Sequence, residues 1–338
     1  MSFKDLLDKI IHHNNLCESE MSEIMDEIFS GNATDAQIGA FMAALSSKGE
    51  TFEELAGAAR VMRRKAVRIQ VAASTIVDCV GTGGDCAHTF NISTTTSFVL
   101  AGCGVTVAKH GNRSVSSKCG SADVLEKLGV NLNCPPEQVE EAIQEIGIGF
   151  LFAPLFHGAT RHAAKARKEI GLRSIFNMLG PLTNPAGANC QLIGVYAPEL
   201  TEMFAQALKL LGSRRALVVY GHDGLDEITV CAPTRVSELE NGMIRTYDIY
   251  PERYFGELSP PETLTGGDPA VNAVITRNIL NGVEKGPKRH VVLINTAGAL
   301  VAAGKSPDFK EGIQMAEKSI DSGAAAAKLD SLIRFTTV

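Results

Sequence analysis

The chain has 338 residues, of which 45% are hydrophobic and 21% are charged, and its formal net charge is −6 at pH 7. This length suggests about two domains with buried cores. The mild acidic balance gives no electrostatic case for nucleic acid or an anionic membrane as a partner. The longest apolar-rich stretches, Ser97–Ala108 and Val291–Gly304, are too short to span a bilayer. Because no apolar run typical of a signal peptide follows Met1, we expect a cytoplasmic protein.

The first seventy residues predict helices only. Apolar residues recur at helical spacing from Phe3 to Ile11. Sequences typical of capping boxes begin at Thr34 and Thr51, each with Gln or Glu three residues later, and each precedes an apolar face. We interpret the basic run Arg63–Lys65 as a solvated helix end rather than a phosphate contact.

After residue 70, short β-branched runs alternate with helical stretches, which favours an α/β domain. We therefore predict a helical domain over 1–70 and an α/β domain over 74–338. The predicted strands are Ile76–Val80, Val105–Lys109, Gly149–Phe152, Leu192–Tyr196, Ala216–Tyr220 and His290–Asn295. The predicted helices are Ser121–Lys127, Glu137–Ile146, Gly158–Lys168, Thr201–Leu211, Pro269–Leu280, Phe309–Ile320 and Ala324–Ile333. Polar and apolar residues alternate over Val236–Pro261, which predicts antiparallel strands.

A glycine-rich loop, Gly81–Asp85, directly follows the first predicted strand. Its glycines permit positive φ and close backbone approach, so the loop can turn its amides toward an anion. The hydroxyl-rich stretch Asn91–Thr96 then opens a predicted helix, where amides and hydroxyls together suit phosphate. A tight turn with capping hydroxyls explains the same residues equally well. A Rossmann fingerprint needs glycine where Cys86 stands, and the Gly-Lys-Ser/Thr of a P-loop is absent.

A second polar segment, Lys109–Ser117, follows the next predicted strand. It holds two cations, an imidazole, an amide and three hydroxyls within nine residues, which is dense for a plain surface loop. Lys109 can act as a point charge for a phosphate. Ser121 begins the next helix and is placed either to bind phosphate or to cap the helix.

The loop Asp223–Glu227 follows a predicted strand and offers the hard carboxylate oxygens that Mg²⁺ prefers, although acidic loops are usually only solvated. Arg167, on a predicted helix, can hold a carboxylate through two parallel hydrogen bonds, but on its own it is more typical of an exposed helix charge. Gly180–Pro185 predicts a rigid turn. The sequence has no G-x-S-x-G elbow, and none of its eight cysteines has an obvious histidine partner. These absences favour direct transfer without a covalent intermediate.

Taken together, these segments resemble the anthranilate phosphoribosyltransferase family, and the resemblance covers essentially the whole chain. It rests, in chain order, on the N-terminal helices, Gly81–Asp85, Asn91–Thr94, Lys109–Asp123, the segment from Arg167 to Pro185, and Asp223–Glu227. The resemblance implies the α/β fold of pyrimidine nucleoside phosphorylases and class III phosphoribosyltransferases, in which a small helical domain is hinged to a large α/β domain with a central mixed sheet. It also implies homodimers formed through the helical domain, to which the chain returns near 170–190.

The same resemblance implies an activity and its site. The 5-phosphoribosyl group of phosphoribosyl pyrophosphate (PRPP) passes to the amine of anthranilate with release of pyrophosphate, in tryptophan biosynthesis and with Mg²⁺. The implied PRPP-binding residues are Gly81, Gly84, Asp85, Thr89, Asn91, Ser93, Thr94, Lys109 and Ser121. The implied anthranilate-binding residues are Gly81, His110, Asn112, His157, Arg167, Gly180 and Pro181, and the implied Mg²⁺ ligands are Ser93, Asp226 and Glu227. No residue is assigned as an acid or base. The chain departs from the family at Cys86, where glycine is common, and this leaves the flexibility of the loop open.

Two alternatives belong to other classes of protein. A pyrimidine nucleoside phosphorylase would split nucleosides with phosphate, but a pyrimidine has no carboxylate for Arg167 and the segment His110–Arg113 to bind. A catalytically idle relative that binds nucleic acid is disfavoured by the acidic balance of the chain and by its intact acidic pair, Asp226 and Glu227.

Overall fold

The structure is a computed structural model that describes residues 1–85, 87–114 and 118–337. The effect of Cys86 on the glycine-rich loop lies outside the described residues, and so do the hydroxyls of Ser116 and Ser117 in the second polar segment.

Helices α1 (Phe3–Ile11), α2 (Glu18–Phe29), α3 (Asp35–Lys48) and α4 (Phe52–Lys65) open the chain. Both predicted capping boxes are confirmed: Thr34 Oγ1 accepts a hydrogen bond from the Gln37 amide at 3.2 Å, and Thr51 Oγ1 accepts one from the Glu54 amide at 3.3 Å. Glu54 also forms a buried ion pair with Lys48 at 3.0 Å. This pair fixes the corner between α3 and α4, because neither charge is exposed to water.

The basic run at the end of α4 is only partly the solvated helix end that its composition predicts. Arg64 and Lys65 are exposed and pair with Asp26. Arg63 differs, because its Nε donates to Leu182 O at 2.6 Å and burial lowers its pKa to about 10. Arg63 therefore joins α4 to a distant part of the chain.

Within the described residues, seven strands form one mixed sheet in the order β3-β2-β1-β4-β5-β6-β7. The strands are β1 (Ile76–Gly81), β2 (Thr106–Gly111), β3 (Ile148–Phe152), β4 (Cys190–Gly194), β5 (Arg215–Gly221), β6 (Thr234–Glu240) and β7 (Met243–Ile249). The first five in the chain pair in parallel, whereas β5, β6 and β7 pair in antiparallel fashion. The antiparallel strands predicted from the alternation in 236–261 are thus confirmed over β6 and β7.

The remaining helices cover both faces of the sheet. They are α5 (Ile92–Gly102), α6 (Ser121–Leu128), α7 (Pro136–Ile146), α8 (Ala153–Phe156), α9 (Arg161–Ile170), α10 (Phe176–Leu179), α11 (Leu200–Leu210), α12 (Glu252–Phe255), α13 (Pro269–Leu280), α14 (Pro287–Ala302), α15 (Phe309–Asp321) and α16 (Ala324–Thr337). The helices predicted from Ser121 onward are confirmed, although the one predicted from Gly158 begins as a 3-10 turn and α16 continues to Thr337. No helix among the described residues is long and apolar enough to cross a membrane.

Two strand predictions need correction. His290–Asn295 is not a strand but part of α14, a helix buried along almost its whole length. A helix that is apolar on all sides has no period that separates it from a buried strand, so its β-branched residues were misleading. The strand predicted at Leu192–Tyr196 begins instead at Cys190. The prediction missed the first two residues because Gln191 is polar and interrupts the apolar run. In the structure Gln191 is buried, and its Nε2 donates to Pro181 O at 2.8 Å.

Apolar cores lie on both faces of the sheet. Alternate residues of β4 and β5 point to opposite faces. Leu192 and Leu217 pack in the core with α5 and α14, whereas Ile193 and Val218 pack in the core that contains α1–α4. Because β1, β2, β4 and β5 are parallel, their carboxyl ends meet at one edge, where open α/β sheets bind ligands. The loops that carry most of the sequence-predicted site residues all leave from this edge.

Candidate active site

Two strand-end glycines make room for Asp226. Gly81 ends β1 and Gly194 ends the neighbouring strand β4. A Cβ atom at Gly81 would overlap the Asp226 carboxylate, and a Cβ atom at Gly194 would overlap the Asp226 carbonyl oxygen. The missing side chain of Gly81, a residue that the resemblance places in the PRPP and anthranilate sites, lets the acidic loop pack on the sheet edge.

The side chains of Asp85, Asp226 and Glu227 form an acidic cluster at this edge. Asp226 Oδ2 accepts a hydrogen bond from the Gly83 amide at 2.7 Å. Burial, reinforced by the charges of Asp85 and Glu227, raises the pKa of Asp226 well above its usual range. Burial also raises the pKa of Glu227 to about 7, although the nearby Lys109 opposes the shift. Carboxylates held together against burial and mutual repulsion suit a divalent cation.

The oxygen ligands of the acidic cluster suit Mg²⁺, which needs only part of its ligands from protein, rather than a metal ion ligated by protein side chains alone. Among the described residues, no group of three His, Cys, Asp or Glu side chains forms a ready metal cage. Mg²⁺ usually takes one or two carboxylates, and waters and substrate phosphates complete its shell. Ser93, in the first turn of α5, interacts with Glu227 and adds a hydroxyl oxygen to the cluster. The three residues predicted as ligands, Ser93, Asp226 and Glu227, are therefore brought together.

Lys109 lies beside the acidic cluster with only 3% of its surface exposed. Its Nζ donates to Cys79 O at 2.5 Å and lies 3.4 Å from Ser93 Oγ. A buried ammonium at this position offsets part of the negative charge of the cluster and stands ready for a phosphate.

The residues around the start of α5 divide into two roles. Asn91 Nδ2 donates to Cys119 O at 3.1 Å and Asn91 Oδ1 accepts from Asn272 at 3.0 Å, so this side chain is engaged within the protein. Thr89 forms an isolated bridge with Thr265.

In contrast, Thr94 Oγ1 is buried without a hydrogen-bond partner in the described part of the chain. An orphaned buried hydroxyl is costly, and a bound oxyanion would satisfy it.

Ser121 and Asn112 hold the polar loop after β2 against the start of α6. Ser121 Oγ accepts from the Asn112 amide and donates to the Asn112 carbonyl, both at 3.2 Å. The contact needs glycine at position 111, because a Cβ atom on Gly111 would overlap Ser121 Oγ. Ser121 therefore supports the loop whether or not it also meets a phosphate.

A pair of neutral histidines lies on the other side of β2, since His110 follows Lys109 and successive strand residues face opposite ways. The rings of His110 and His157 are 5.1 Å apart, and each residue is only 3% exposed. His110 Nδ1 lies 3.2 Å from Gly180 O, so we assign its proton to Nδ1. Burial lowers the pKa of His110 to about 3 and that of His157 to about 4. His110 Nε2 and both His157 nitrogens have no hydrogen-bond partner among the described residues, which suits a polar ligand.

Arg167, on α9, is a half-buried cation without a counterion in the described structure. Its guanidinium lies 5.3 Å from the centre of the Phe176 ring, and burial lowers its pKa. No described hydrogen bond or ion pair occupies its donors, so a planar carboxylate can take two of them.

The site also depends on two residues that the sequence reasoning missed. Asp78 is fully buried on β1, and its carboxylate accepts from Asn184 Nδ2 at 2.7 Å and from the His110 amide at 3.2 Å. Burial raises the pKa of Asp78 to about 6. Asn184 Nδ2 also donates to Ala108 O, so this pair docks the turn with Gly180 and Pro181 against β2. The sequence does hold a sign of this role, since Asp78 interrupts the apolar run of β1. An aspartate is seldom fully buried unless it is paired.

Comparisons with known proteins agree with this architecture. A helical bundle domain of the glycosyl transferase family matches residues 4–66, and the a/b domain of that family matches residues 73–326. The anthranilate phosphoribosyltransferase of Syntrophobacter fumaroxidans is 68% identical over 98% of both chains. The crystal structure of that enzyme from Thermus thermophilus is 43% identical, with a TM-score of 0.94 over 99% of this chain and 100% of its own. The Saccharomyces cerevisiae enzyme in complex with PRPP and Mg is 28% identical, with a TM-score of 0.91 over 99% and 98%. These proteins match both the helical layer and the α/β layer.

Proposed function

The chain belongs to the anthranilate phosphoribosyltransferases of the glycosyl transferase family, and we propose that the carboxyl edge of its parallel strands is the site of that reaction. It transfers the 5-phosphoribosyl group of PRPP to the amine of anthranilate and releases pyrophosphate, in tryptophan biosynthesis and with Mg²⁺. The observation that carries the site assignment is the acidic cluster beside buried Lys109, because a diphosphate donor needs both cationic and metal-binding partners.

The donor binds on the α5 side of β2. Lys109, the Asp85 amide of the glycine-rich loop and the free hydroxyl of Thr94 take the phosphate oxygens. The amides of Thr82 and Gly83 instead hold the loop in place, because they donate to Gly194 O and Asp226 Oδ2. Ser93, Asp226 and Glu227 would hold Mg²⁺, which neutralises charge on the pyrophosphate group when it is bound. Because these groups stabilise negative charge on the pyrophosphate, it can leave with the electron pair of the C1–O bond.

The acceptor binds on the histidine side of β2. Arg167 holds the anthranilate carboxylate, while Asn112 and the turn with Gly180 and Pro181 shape the pocket. The neutral rings of His110 and His157 place no second cation near the amine. The amine attacks ribose C1 from the face opposite to pyrophosphate, so the C1–N bond forms with inversion as the C1–O bond breaks. The nitrogen then gives up one of its two protons to water or to the released pyrophosphate. The aromatic amine is already neutral, and positioning carries most of the rate.

Replacement of Arg167 tests the acceptor half. In Arg167→Gln, the KM for anthranilate is expected to rise by about tenfold or more, since a charge-assisted bidentate pair is lost. The KM for PRPP is expected to stay within about twofold. Lys168→Gln is the matched control, because Lys168 is the exposed neighbour on α9. An unchanged KM for anthranilate in Arg167→Gln removes Arg167 from the acceptor site.

The reaction class is tested by the substrates consumed. Pyrophosphate release is measured with PRPP and anthranilate, and in parallel thymidine or uridine is offered with phosphate. We expect pyrophosphate only when PRPP and anthranilate are both present, and no nucleoside cleavage. Cleavage of a nucleoside without anthranilate turnover would indicate a pyrimidine nucleoside phosphorylase instead.

We propose that 1–70 and 74–338 are separate domains and that the segment near 170–190 returns to the helical one. The family matches divide the chain between 66 and 73. In support of the return, α10 packs on α4. Helix α9, which ends at Ile170 where this segment begins, already packs on α2 and α3. Closure of the helical domain over the strand edge would exclude water from the reacting ribose.

We also propose a homodimer formed through the helical domain, because α3 has apolar residues on both of its sides. Phe41 and Leu45 are buried, whereas Ala36, Ala40 and Ala43 are exposed small residues on the opposite side. Exposed small residues allow close helix–helix contact.

A charged residue on α3 tests the dimer. Ala40→Arg is expected to convert the dimer to monomer at about 10 μM, since a buried unpaired charge costs about 3 kcal/mol or more. Light scattering coupled to size exclusion measures the mass. Met243→Arg is the control, because Met243 is an exposed apolar residue on β7. A monomeric wild type, or a dimer that survives in Ala40→Arg, contradicts this interface.

We further propose that the enzyme works in the cytoplasm. The seven cysteines of the described residues are free thiols, and four of them are buried. A chain of this size whose described cysteines are all free thiols is typical of a reducing compartment.

A further inference from the structure

Arg173 lies where the glycine-rich loop meets the segment between α9 and α10. Its Nη2 donates to Gly84 O at 2.9 Å, and its guanidinium lies 3.9 Å from the centre of the Tyr196 ring. Tyr196 comes just after β4, so the guanidinium is stacked on the same sheet edge that carries the candidate active site. The resemblance assigned no role to either side chain.

The loop is held from two directions. Asp226 accepts a hydrogen bond from the amide of Gly83, and Arg173 donates one to the carbonyl of Gly84. A Cβ atom at Gly84 would lie 2.8 Å from Arg173 Nη2, and Gly84 has a φ of +80°. The positive φ of Gly84 favours glycine, and the missing Cβ atom leaves room for Arg173 Nη2 to reach the backbone.

The hydrogen bond from Arg173 fixes the orientation of a whole peptide unit. A trans peptide is planar, so the Gly84 carbonyl and the Asp85 N–H point in opposite directions. By holding the carbonyl, Arg173 turns the Asp85 N–H away from itself. A donor that is ionised and already stacked on an aromatic ring is well suited to hold one orientation.

We propose that Arg173 is a positioning residue for the donor substrate, an inference that rests on the proposed function. It orients the Gly84–Asp85 peptide so that the Asp85 N–H faces the pyrophosphate of PRPP. Arg173 itself acts on the loop and not on the substrate. Its segment follows α9, which packs on the helical bundle, so the orientation of the loop is also tied to that bundle.

The test compares Arg173→Ala and Arg173→Gln with Arg253→Ala. Arg253 is a matched control because its guanidinium is stacked on Tyr250 at 4.7 Å, away from the loop. The readouts are kcat/KM for PRPP and the KM for anthranilate at saturating PRPP. Arg173→Ala is expected to lower kcat/KM for PRPP about tenfold, the size of about 1.4 kcal/mol. The KM for anthranilate is expected to stay within about twofold.

Arg173→Gln separates positioning from direct charge contact. Glutamine keeps an N–H donor without a charge, so we expect it to recover at least about half of the loss in log kcat/KM. Recovery no better than alanine overturns the positioning role and indicates contact with the phosphates. An alanine variant that matches Arg253→Ala, or one that raises both KM values equally, also overturns it. Inactive wild type with both substrates overturns the proposed function itself, whereas the other outcomes concern Arg173 alone.

Discussion

The double variant Asp226→Asn with Glu227→Gln is expected to lose at least about 100-fold in kcat while it stays folded. Both substitutions keep the shape of the side chain but remove the charge that a divalent cation needs. Isosteric replacements are preferable to alanine, because Asp226 is packed between the ends of β1 and β4 and a cavity there would disturb Gly81 and Gly194. The measurement is kcat at saturating substrates with excess Mg²⁺.

The same variant is expected to unfold at no lower temperature than the wild type. A carboxyl whose pKa is raised on folding is ionised more easily in the unfolded chain, so near neutral pH its ionisation opposes folding. The pKa values of Asp226 and Glu227 are both raised, and both charges are absent from the variant. Glu257→Gln, an exposed acid, serves as the control. Full turnover in the double variant would falsify the metal role.

Gly194→Ala is expected to reduce kcat about 100-fold and to lower the free energy of unfolding by about 1–3 kcal/mol. The new Cβ atom would overlap the carbonyl oxygen of Asp226, which is backbone and cannot rotate away. The acidic loop must therefore shift, and Asp226 and Glu227 shift with it.

Gly286→Ala is the matched control for Gly194→Ala, since a Cβ atom at Gly286 would meet only the movable end of the Glu284 side chain, at 3.2 Å. Activity and thermal unfolding are measured on both variants. Wild-type activity in Gly194→Ala shows that the position of the acidic loop does not matter for turnover.

Much of the fold could be predicted because the signals are local. The capping boxes at Thr34 and Thr51 and the alternation in 236–261 each follow from a few neighbouring residues. The prediction failed at His290–Asn295, where burial on all sides removes the periodicity that identifies a helix. It was incomplete at Arg63, because its partner Leu182 is 119 residues away in the chain.

The site was harder to predict, since its contacts are long-range. From residue chemistry alone, the glycine-rich loop could equally be a tight turn, the acidic loop a solvated loop and Arg167 an exposed helix charge. Only the resemblance to a known family assigned the three features to one active site. Pattern reasoning could not show that Gly83 bonds Asp226, 143 positions later, or that Asn184 holds Asp78. Parallel strands bring such segments together at one edge, but which side chains meet there depends on register and packing.

The most direct test of the proposed site and reaction is the fluorescence of anthranilate after PRPP is added, with Mg²⁺ and then with chelator. We expect fluorescence to fall with Mg²⁺ present and the fall to stop when the chelator removes it. Loss of anthranilate that continues unchanged in chelator would contradict the metal-assisted donor site. No loss at all from folded wild-type protein would contradict the reaction itself.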